Sequence, residues 1–552
     1  MKSDLTPIST GKPIGEADLV NEHRNLVNYT FAAVYDEDKP ILLDAADCRR
    51  NLSQRKAYDL VAALAGTFRP DSTVCLHLAN DILYPVLVLA ILASNSRWTG
   101  TNPAYTSSEL EHHFRTSRTN YVVTVTEHLD TVRKAVHASN SGAEIIIFAD
   151  ILDEHLSGPA QDAETLHSSE QFQGNSLAMR SLRDLLHSPS NINLHTLLDR
   201  ISVDGTAALM PTSGTTGLPK VAIRTHRSMM LELEALADET ANKPYEVRRL
   251  FCTPIFHAFS APEMLFNALR LGHVSYFMGR FDESFAQKVH DFNITETFGA
   301  PAMLLRLTAM PGSYHLLKTL RCVSYGGAPL GGELRRRVLG MFNVPPRLIP
   351  VYGMTEGGWF ARFNYPEEDG TGSVGRVIPG LEIKIAPTSD TQLGDKQRSG
   401  EVLVRGSQIM QGYLGNEEAT SAAFEDGWLK TGDIGYLSDS KLYLIDRIKD
   451  IIKVNGWQVS PVEIQNVLLQ LDDVLESAVF GLGYGVEEHP VACIVRRSAR
   501  LTAEAVREHL SSRLARYKMR TCEIRFVESI PKSSTGKVVK ELLRKMEFPS
   551  NA

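Results

Sequence analysis

No stretch of this chain is both long and apolar enough to cross a bilayer. The longest hydrophobic run, Ile82 to Ala93, is interrupted by Pro85 and falls short of the roughly twenty residues a span needs. Cysteine is scarce: Cys48, Cys75, Cys252, Cys322, Cys493 and Cys522 stand alone, with no C-x-x-C pair and no histidine at zinc spacing. That excludes a disulfide framework and a Cys/His metal site, and a reducing compartment is expected. An excess of basic charge is missing too. The net charge is −7 at pH 7, which argues against nucleic acid as the main partner and serves solubility. The amino terminus lacks an apolar core and is not Arg-rich, and the final "PSNA" is unlike a peroxisomal S-K-L. Neither a leader nor that address is expected, so the cytoplasm is the expected location.

What is present is a large, ordinary globular chain. Its 552 residues are too many for one hydrophobic core, so more than one domain is expected. From Asp71 to Ile147, "STVCLHLAN", "YVVTV" and "AEIIIF" read as strands, and "DILYPVLVLAILAS", "SSELEHHFRTSR" and "LDTVRKAVHAS" as helices. Strands alternating with helices predict a parallel sheet covered on both faces. Glu154 to Asn193 is polar and reads as a surface excursion holding a short helix. Between Gly372 and Tyr413, short Gly-bounded strands ("GSVGRVIPGLEIKIAP", "GEVLVRG") predict an antiparallel β unit. Further on, Asn455-Gly456 between apolar strands predicts a hairpin. "SPVE" then predicts a helix with Ser460 as N-cap, Pro461 in its first turn and Glu463 closing a capping box. Ile464, Val467, Leu468 and Leu471 would share its buried face. Strands "SAVFGL", "VACIV" and "EIRFV" and helices "TAEAVREHLSSRLARY" and "KVVKELLRKM" complete the end of the chain. The expected fold class is therefore α/β: residues 1–446 as a large domain of α/β layers with a β subdomain near 372–446, and residues 447–552 as a small α+β domain hinged near Arg447–Asp450.

The chemistry is concentrated in five stretches. "TSGTTGLPK", Thr212 to Lys220, packs hydroxyls, glycines and a lysine into nine residues. It lies between strand-like "AALM" and "KVAIR", whereas a P-loop runs from a strand into a helix N-terminus. Its phosphate donors would be Thr212, Ser213, Thr215, Thr216, the backbone at Gly214 and Gly217, and Lys220. In "VYGMTEGG", Tyr352 could stack on a base, Thr355 donate to a phosphate, and Glu356 offer the hard oxygen that Mg²⁺ prefers. "WLKTGDIGY" holds Asp433, read as lying in a turn, whose carboxylate can accept from both ribose hydroxyls. "DRIKD" adds Arg447, a planar donor fork. "PKSSTGK" ends in Lys537 on a Gly-containing loop.

In this order, with "WTGTNPAYT" and "FHAFS" between them, the stretches resemble those of the adenylate-forming superfamily of acyl-CoA synthetases, luciferases and peptide-synthetase adenylation domains. The texture is most similar to 4-coumarate–CoA ligase-like proteins. The resemblance implies two half-reactions: a carboxylate attacks the α-phosphate of Mg·ATP to give an acyl-adenylate and pyrophosphate, then a thiol displaces AMP. It implies that Lys537 bridges the carboxylate and the α-phosphate, that the 212–220 loop holds the β- and γ-phosphates, and that Thr355 and Glu356 serve the α-phosphate and Mg²⁺. Asp433 and Arg447 would hold the ribose, with Gly327 and Ala328 lining the nucleotide. Lys449 matches the hinge, and Lys453, Gly456 and Gln458 match positions that serve the thiol step.

The acyl pocket is expected from Phe256, His257, Gly326 within "SYGGAP", and Val351. Peptide-synthetase domains place an aspartate where His257 stands, to pair with an α-ammonium. A non-amino acid, aromatic or short to medium aliphatic, is therefore expected. Val351 occupies a place where aromatic-acid members commonly carry glycine, which predicts a shortened pocket. Coenzyme A is the expected acceptor, because "VNGWQV" resembles the CoA ligases' motif. Loading of a separate carrier protein, a luciferase-like oxidation and a catalytically silent nucleotide-binding protein are the alternatives. No nucleic-acid partner and no membrane span are expected.

Overall fold

The computed structural model describes residues 8–32, 35–152, 179–187, 193–212, 219–237, 242–310, 312–387, 399–454, 457–483, 488–514, 516–519, 522–532 and 538–546. The expected α/β class holds. Among the described residues a seven-stranded sheet is built on Thr73–His77, with Arg97–Gly100 and Tyr121–Thr124 parallel on either side of it. Glu144–Ile147 follows in parallel, and so does an edge strand, Met179–Ser181, within the polar segment expected to be a surface excursion. Helices Ser107–Ser117 and Leu129–Ser139 fall on the predicted segments. The apolar run that was too short for a membrane is a core helix, Tyr84–Ala93. Every side chain in it is buried, and Pro85 sits in its first turn, where its missing N–H costs nothing. No helix among the described residues is long and apolar enough to cross a membrane.

A nine-stranded sheet carries the strands that lead to the site. Its parallel strands Glu296–Gly299, Cys322–Gly326 and Arg347–Met354 lie side by side, and Gly358–Arg362 folds back antiparallel on the last of them. The predicted antiparallel β unit is divided: Arg376–Val377 pairs with Gly358–Arg362 in the nine-stranded sheet, and the rest forms a separate sheet. It holds Glu382–Ala386, Gly400–Arg405, Trp428–Ser438 and Lys441–Arg447, joined at its edge by the amino-terminal strand Ile8–Thr10.

Beyond Arg447 comes a single 3₁₀ turn, Ile448–Asp450. The hairpin Ile452–Val454 and Trp457–Val459 and helix Pro461–Leu468 follow. The final sheet, Val474–Leu482, His489–Arg496 and Glu523–Phe526, has its own apolar core, which includes Ile464, Val467, Leu468 and Ile494. Ser460 caps Pro461–Leu468 as predicted, by accepting from Glu463 N. The capping box does not close, because both oxygens of Glu463 accept from Lys518 Nζ at 2.6 and 2.7 Å. A lysine 55 residues away offers a full charge that a single backbone N–H cannot match. The predicted helix over "TAEAVREHLSSRLARY" ends at Ser511, and a short helix, Arg516–Met519, stands apart from it.

Candidate active site

The strand–loop–strand reading of Thr212–Lys220 holds at both ends. Thr206–Pro211 and Val221–Thr225 pair antiparallel with Pro211 opposite Val221. Thr212 N donates to Lys220 O at 2.8 Å and closes the base of the loop. Ser213, Gly214, Thr215, Thr216 and Gly217 lie outside the described residues. The Thr212 hydroxyl is buried, with no hydrogen-bond partner among the described residues. Lys220 lies over the ring of Tyr413, its ammonium 4.1 Å from the centroid.

The strand Arg347–Met354 brings Tyr352 to the sheet's end, and the turn beyond it carries Thr355 and Glu356. Glu356 is 7 % exposed, and its Oε1 accepts from the Tyr413 hydroxyl at 2.7 Å. No lysine or arginine pairs with it among the described residues. With Oε1 on a neutral phenol, the carboxylate still has lone pairs on its second oxygen that a cation can use. Among the described residues no group of three or more His, Cys, Asp or Glu could hold a metal. Mg²⁺ fits here as an ion held by one carboxylate, with other oxygens from substrate and water.

Asp433 is a correction to the sequence reading. It lies inside the strand Trp428–Ser438, not in a turn, and stands directly opposite Arg447 in Lys441–Arg447. Gly432, at φ +72°, bends the strand just before it. Asp433 Oδ1 accepts from Arg447 Nε at 3.1 Å, and Oδ2 from the Tyr352 hydroxyl at 2.8 Å. Burial and the neighbouring Asp433 charge raise the Tyr352 phenol well above its ordinary value, so it remains a donor. The Tyr352 ring meets Phe360 edge-on. Gly327, at φ +83°, and Ala328 form the turn that leaves Cys322–Gly326.

Two of the residues expected on the acyl side stand together in the sheet. Gly326 and Val351 are register partners on adjacent parallel strands, and Val351 faces Arg362 across the next pair. A Cβ on Gly326 would come within 2.9 Å of the Phe259 ring and 3.1 Å of Val351 O, so only glycine fits. Phe256 and His257 lie in the turn after Arg248–Phe251, where His257 Nδ1 accepts from Phe259 N at 3.3 Å. Three further rings were not singled out from the sequence. Phe259 stacks on Trp359 with centroids 5.8 Å apart, and Phe298 meets both. Their residues come from three distant segments, so no local pattern marks them.

On the carboxyl-terminal side, Lys449 sits in the 3₁₀ turn, and Lys453 and Gln458 are register partners in the hairpin. Gly456 and Lys537 lie outside the described residues. Across the turn, Ser460 Oγ and Val462 N donate to the Asp446 carboxylate, and Lys540 pairs with Asp450 of the turn itself at 3.2 Å.

A buried ion pair, Arg224 with Glu232 at 2.9 Å, ties these parts together. Glu232 also accepts from Trp359 N at 3.1 Å. The strand Val221–Thr225 is thereby bonded to the strand Gly358–Arg362.

The sequence profile for AMP-binding enzymes matches residues 30–414, and that for the AMP-binding enzyme C-terminal domain matches residues 463–537. Acyl-CoA ligase M9 of Phoma sp. is 47 % identical over 525 residues, covering 94 % of this chain and 95 % of its own. 4-Coumarate–CoA ligase CCL1 of Humulus lupulus is 29 % identical over 95 % of this chain and 94 % of its own. The crystal structure of the anthranilate CoA ligase AuaEII with anthranoyl-AMP superposes with a TM-score of 0.79 at 21 % identity, covering 96 % of this chain and 98 % of that one. Two profiles in the predicted order, together with a relative matched end to end, confirm the resemblance drawn from the five motifs. The chain belongs to the AMP-binding enzyme family.

Proposed function

We propose that this enzyme is an AMP-forming acid–CoA ligase: it activates a non-amino carboxylic acid with ATP, releases pyrophosphate, and passes the acyl group to the thiol of coenzyme A. The observation that carries this reading is the convergence of two sets of groups about one strand and its turn. The ribose set, Tyr352, Asp433 and Arg447, and the phosphate and metal set, Lys220 and Glu356, meet within five residues of Arg347–Met354 and the turn after it. The acyl-CoA ligase relative at 47 % identity supports the overall reaction.

Carboxylate and triphosphate repel, so the chain's task is placement and cationic stabilisation. The Asp433 carboxylate takes the ribose hydroxyls beside Arg447. The Thr212 hydroxyl and Lys220, with Ser213 to Gly217, take the β- and γ-phosphates. Thr355 donates to the α-phosphate, and Glu356 holds Mg²⁺, which neutralises phosphate charge when bound. Lys537 bridges the acid and the α-phosphate. Gly327 and Ala328 line the nucleotide. We assign residues 447–552 to a small domain that turns about Lys449, bringing Lys453, Gly456 and Gln458 to the thiol step.

The acid lies among Phe256, His257, Gly326 and Val351. The Phe259, Trp359 and Phe298 rings behind them favour a flat, single-ring or short aliphatic group, and Val351 sets the depth. A carrier protein's phosphopantetheine is the alternative thiol. The six free cysteines, five of them buried, suit a reducing cytoplasm.

Pyrophosphate release across a panel of aryl and short aliphatic acids, followed by chromatography with coenzyme A, tests the reaction. Acid-dependent release and a CoA thioester are expected, and Lys537→Ala should abolish the first step. Full adenylation by Lys537→Ala, or no acid-dependent release at all, would contradict the assignment.

A further inference from the structure

The segment Gln408 to Leu414 belongs to none of the five motifs, yet it is bonded to the strand that leaves one of them and to the turn within another. On one side Gln411 N donates to Ile223 O at 3.1 Å, Ile223 N to Gly412 O at 2.9 Å, and Leu414 N to Val221 O at 2.8 Å. On the other, Met410 N donates to Glu356 O at 2.7 Å, and Gln408 Nε2 donates to Gly357 O and Trp359 O, each at 2.8 Å. The segment is a strap between the strand that leaves the phosphate loop and the turn that carries Glu356. Tyr413 stands near its end, with one face of the ring beneath Lys220 and its hydroxyl on Glu356.

Lys220 and Glu356 are thus opposite charges held at two parts of one side chain, and neither has an ion pair among the described residues. A half-buried ammonium and a buried carboxylate flanking one side chain attract each other through a poorly screened interior. A direct pair would neutralise the cation meant for phosphate and the anion meant for the metal. Tyrosine satisfies both without merging them: its π face attracts the ammonium, and its O–H donates to the carboxylate. Phenylalanine could do only the first and histidine neither as well.

We propose that Tyr413 is a positioning residue that holds Lys220 and Glu356 apart, leaving the first for the phosphates of the nucleotide and the second for its divalent cation. This rests on the roles given to those two residues above.

Calorimetric titration with ATP, with and without Mg²⁺, tests it on the full chain, with thermal melting as the control for folding. The Tyr413→Phe variant keeps the ring and loses the tether. Its Mg²⁺-free affinity should be unchanged, while the gain in affinity that Mg²⁺ brings should shrink about tenfold, the size of one hydrogen bond to a charged group. Tyr413→Leu removes the spacer, so Lys220 can close on Glu356 and Mg²⁺-free ATP binding should weaken about tenfold. Adding Glu356→Gln to Tyr413→Leu should restore that binding, because the competing carboxylate is gone; a merely structural defect would not be rescued. Unaltered Mg²⁺ dependence in Tyr413→Phe, or no recovery in the double variant, overturns the proposal. If Tyr413→Leu does not fold, the Tyr413→Phe titration decides alone. A wild-type protein that binds ATP with no Mg²⁺ dependence would overturn the metal role of Glu356 and this inference with it.

Discussion

The hydroxyl of Tyr352 donates to Oδ2 of Asp433 at 2.8 Å, joining residues 81 positions apart, while Arg447 Nε holds the other oxygen at 3.1 Å. Tyr352 and Arg447 both donate, so the carboxylate is fixed in direction. A fixed carboxylate accepts from a vicinal diol without first having to be ordered, which is where such a site gains affinity.

Asp433→Asn should therefore raise the KM for ATP by about tenfold or more, the size of a charged hydrogen bond. Its discrimination between ATP and 2′-deoxy-ATP should largely disappear. ATP–pyrophosphate exchange with both nucleotides measures this, and retained discrimination would remove Asp433 from the ribose.

Val351→Gly should widen the range of acids accepted, because Val351 stands beside Gly326 and opposite Arg362 on the face that carries the aromatic wall. Removing a β-branched side chain frees about three carbons of space, so longer or para-substituted aryl acids should gain about tenfold in kcat/KM relative to the shortest acids. An unchanged rank order across the panel would take Val351 out of the pocket.

Glu232→Ala should destabilise the fold by about 3–5 kcal/mol, since it leaves the Arg224 guanidinium buried and unpaired. Arg224 and Glu232 are 3 % and 4 % exposed, and Glu232 also accepts from Trp359 N. Gly358→Ala should be comparably damaging: its Cβ would lie 2.0 Å from Glu232 Oε1, at a backbone φ of +75°. Urea denaturation followed by tryptophan fluorescence measures both, and a loss below 1 kcal/mol, roughly the size of an exposed pair, would contradict the buried assignment.

Acid should destabilise this protein steeply below pH 6.5. Burial lowers His77 and His226 to about 4 and His113 to about 3, with neighbouring histidines adding to the effect at His77 and His113. The folded state therefore holds these rings neutral where the unfolded chain protonates them. Stability is complete above the unfolded value near 6.5 and is lost as pH falls toward 4. Each histidine contributes about 1.4 kcal/mol per pH unit inside that window. Denaturant midpoints from pH 7 to 4.5 should show it, and His113→Gln should flatten the slope by about one proton's share. A flat wild-type profile would mean that the rings are not buried neutral.

Much of the architecture could be read from local patterns, because helices, parallel strands and turns follow from spacings of a few residues. The alternating strands and helices before Ile147, the loop between Thr206–Pro211 and Val221–Thr225, and the Ser460 cap are of this kind. Errors arose where a distant partner outcompeted a local one. Asp433 looked like a turn residue among glycines, but Arg447 pairs with it across a strand. Glu463 looked like a capping-box acid, but Lys518 takes its charge.

The order of the hydroxyl-rich loop, the Thr355–Glu356 turn, Asp433, Arg447 and Lys537 was enough by itself to name the family and the two-step chemistry, because reactive side chains must be encoded one by one. Which side chains hold those groups in place was decided only in three dimensions. Tyr413 reaches Glu356 across 57 residues and Glu232 reaches Trp359 across 127. Such contacts follow from how sheets stack and straps pair, which no window of neighbouring residues contains.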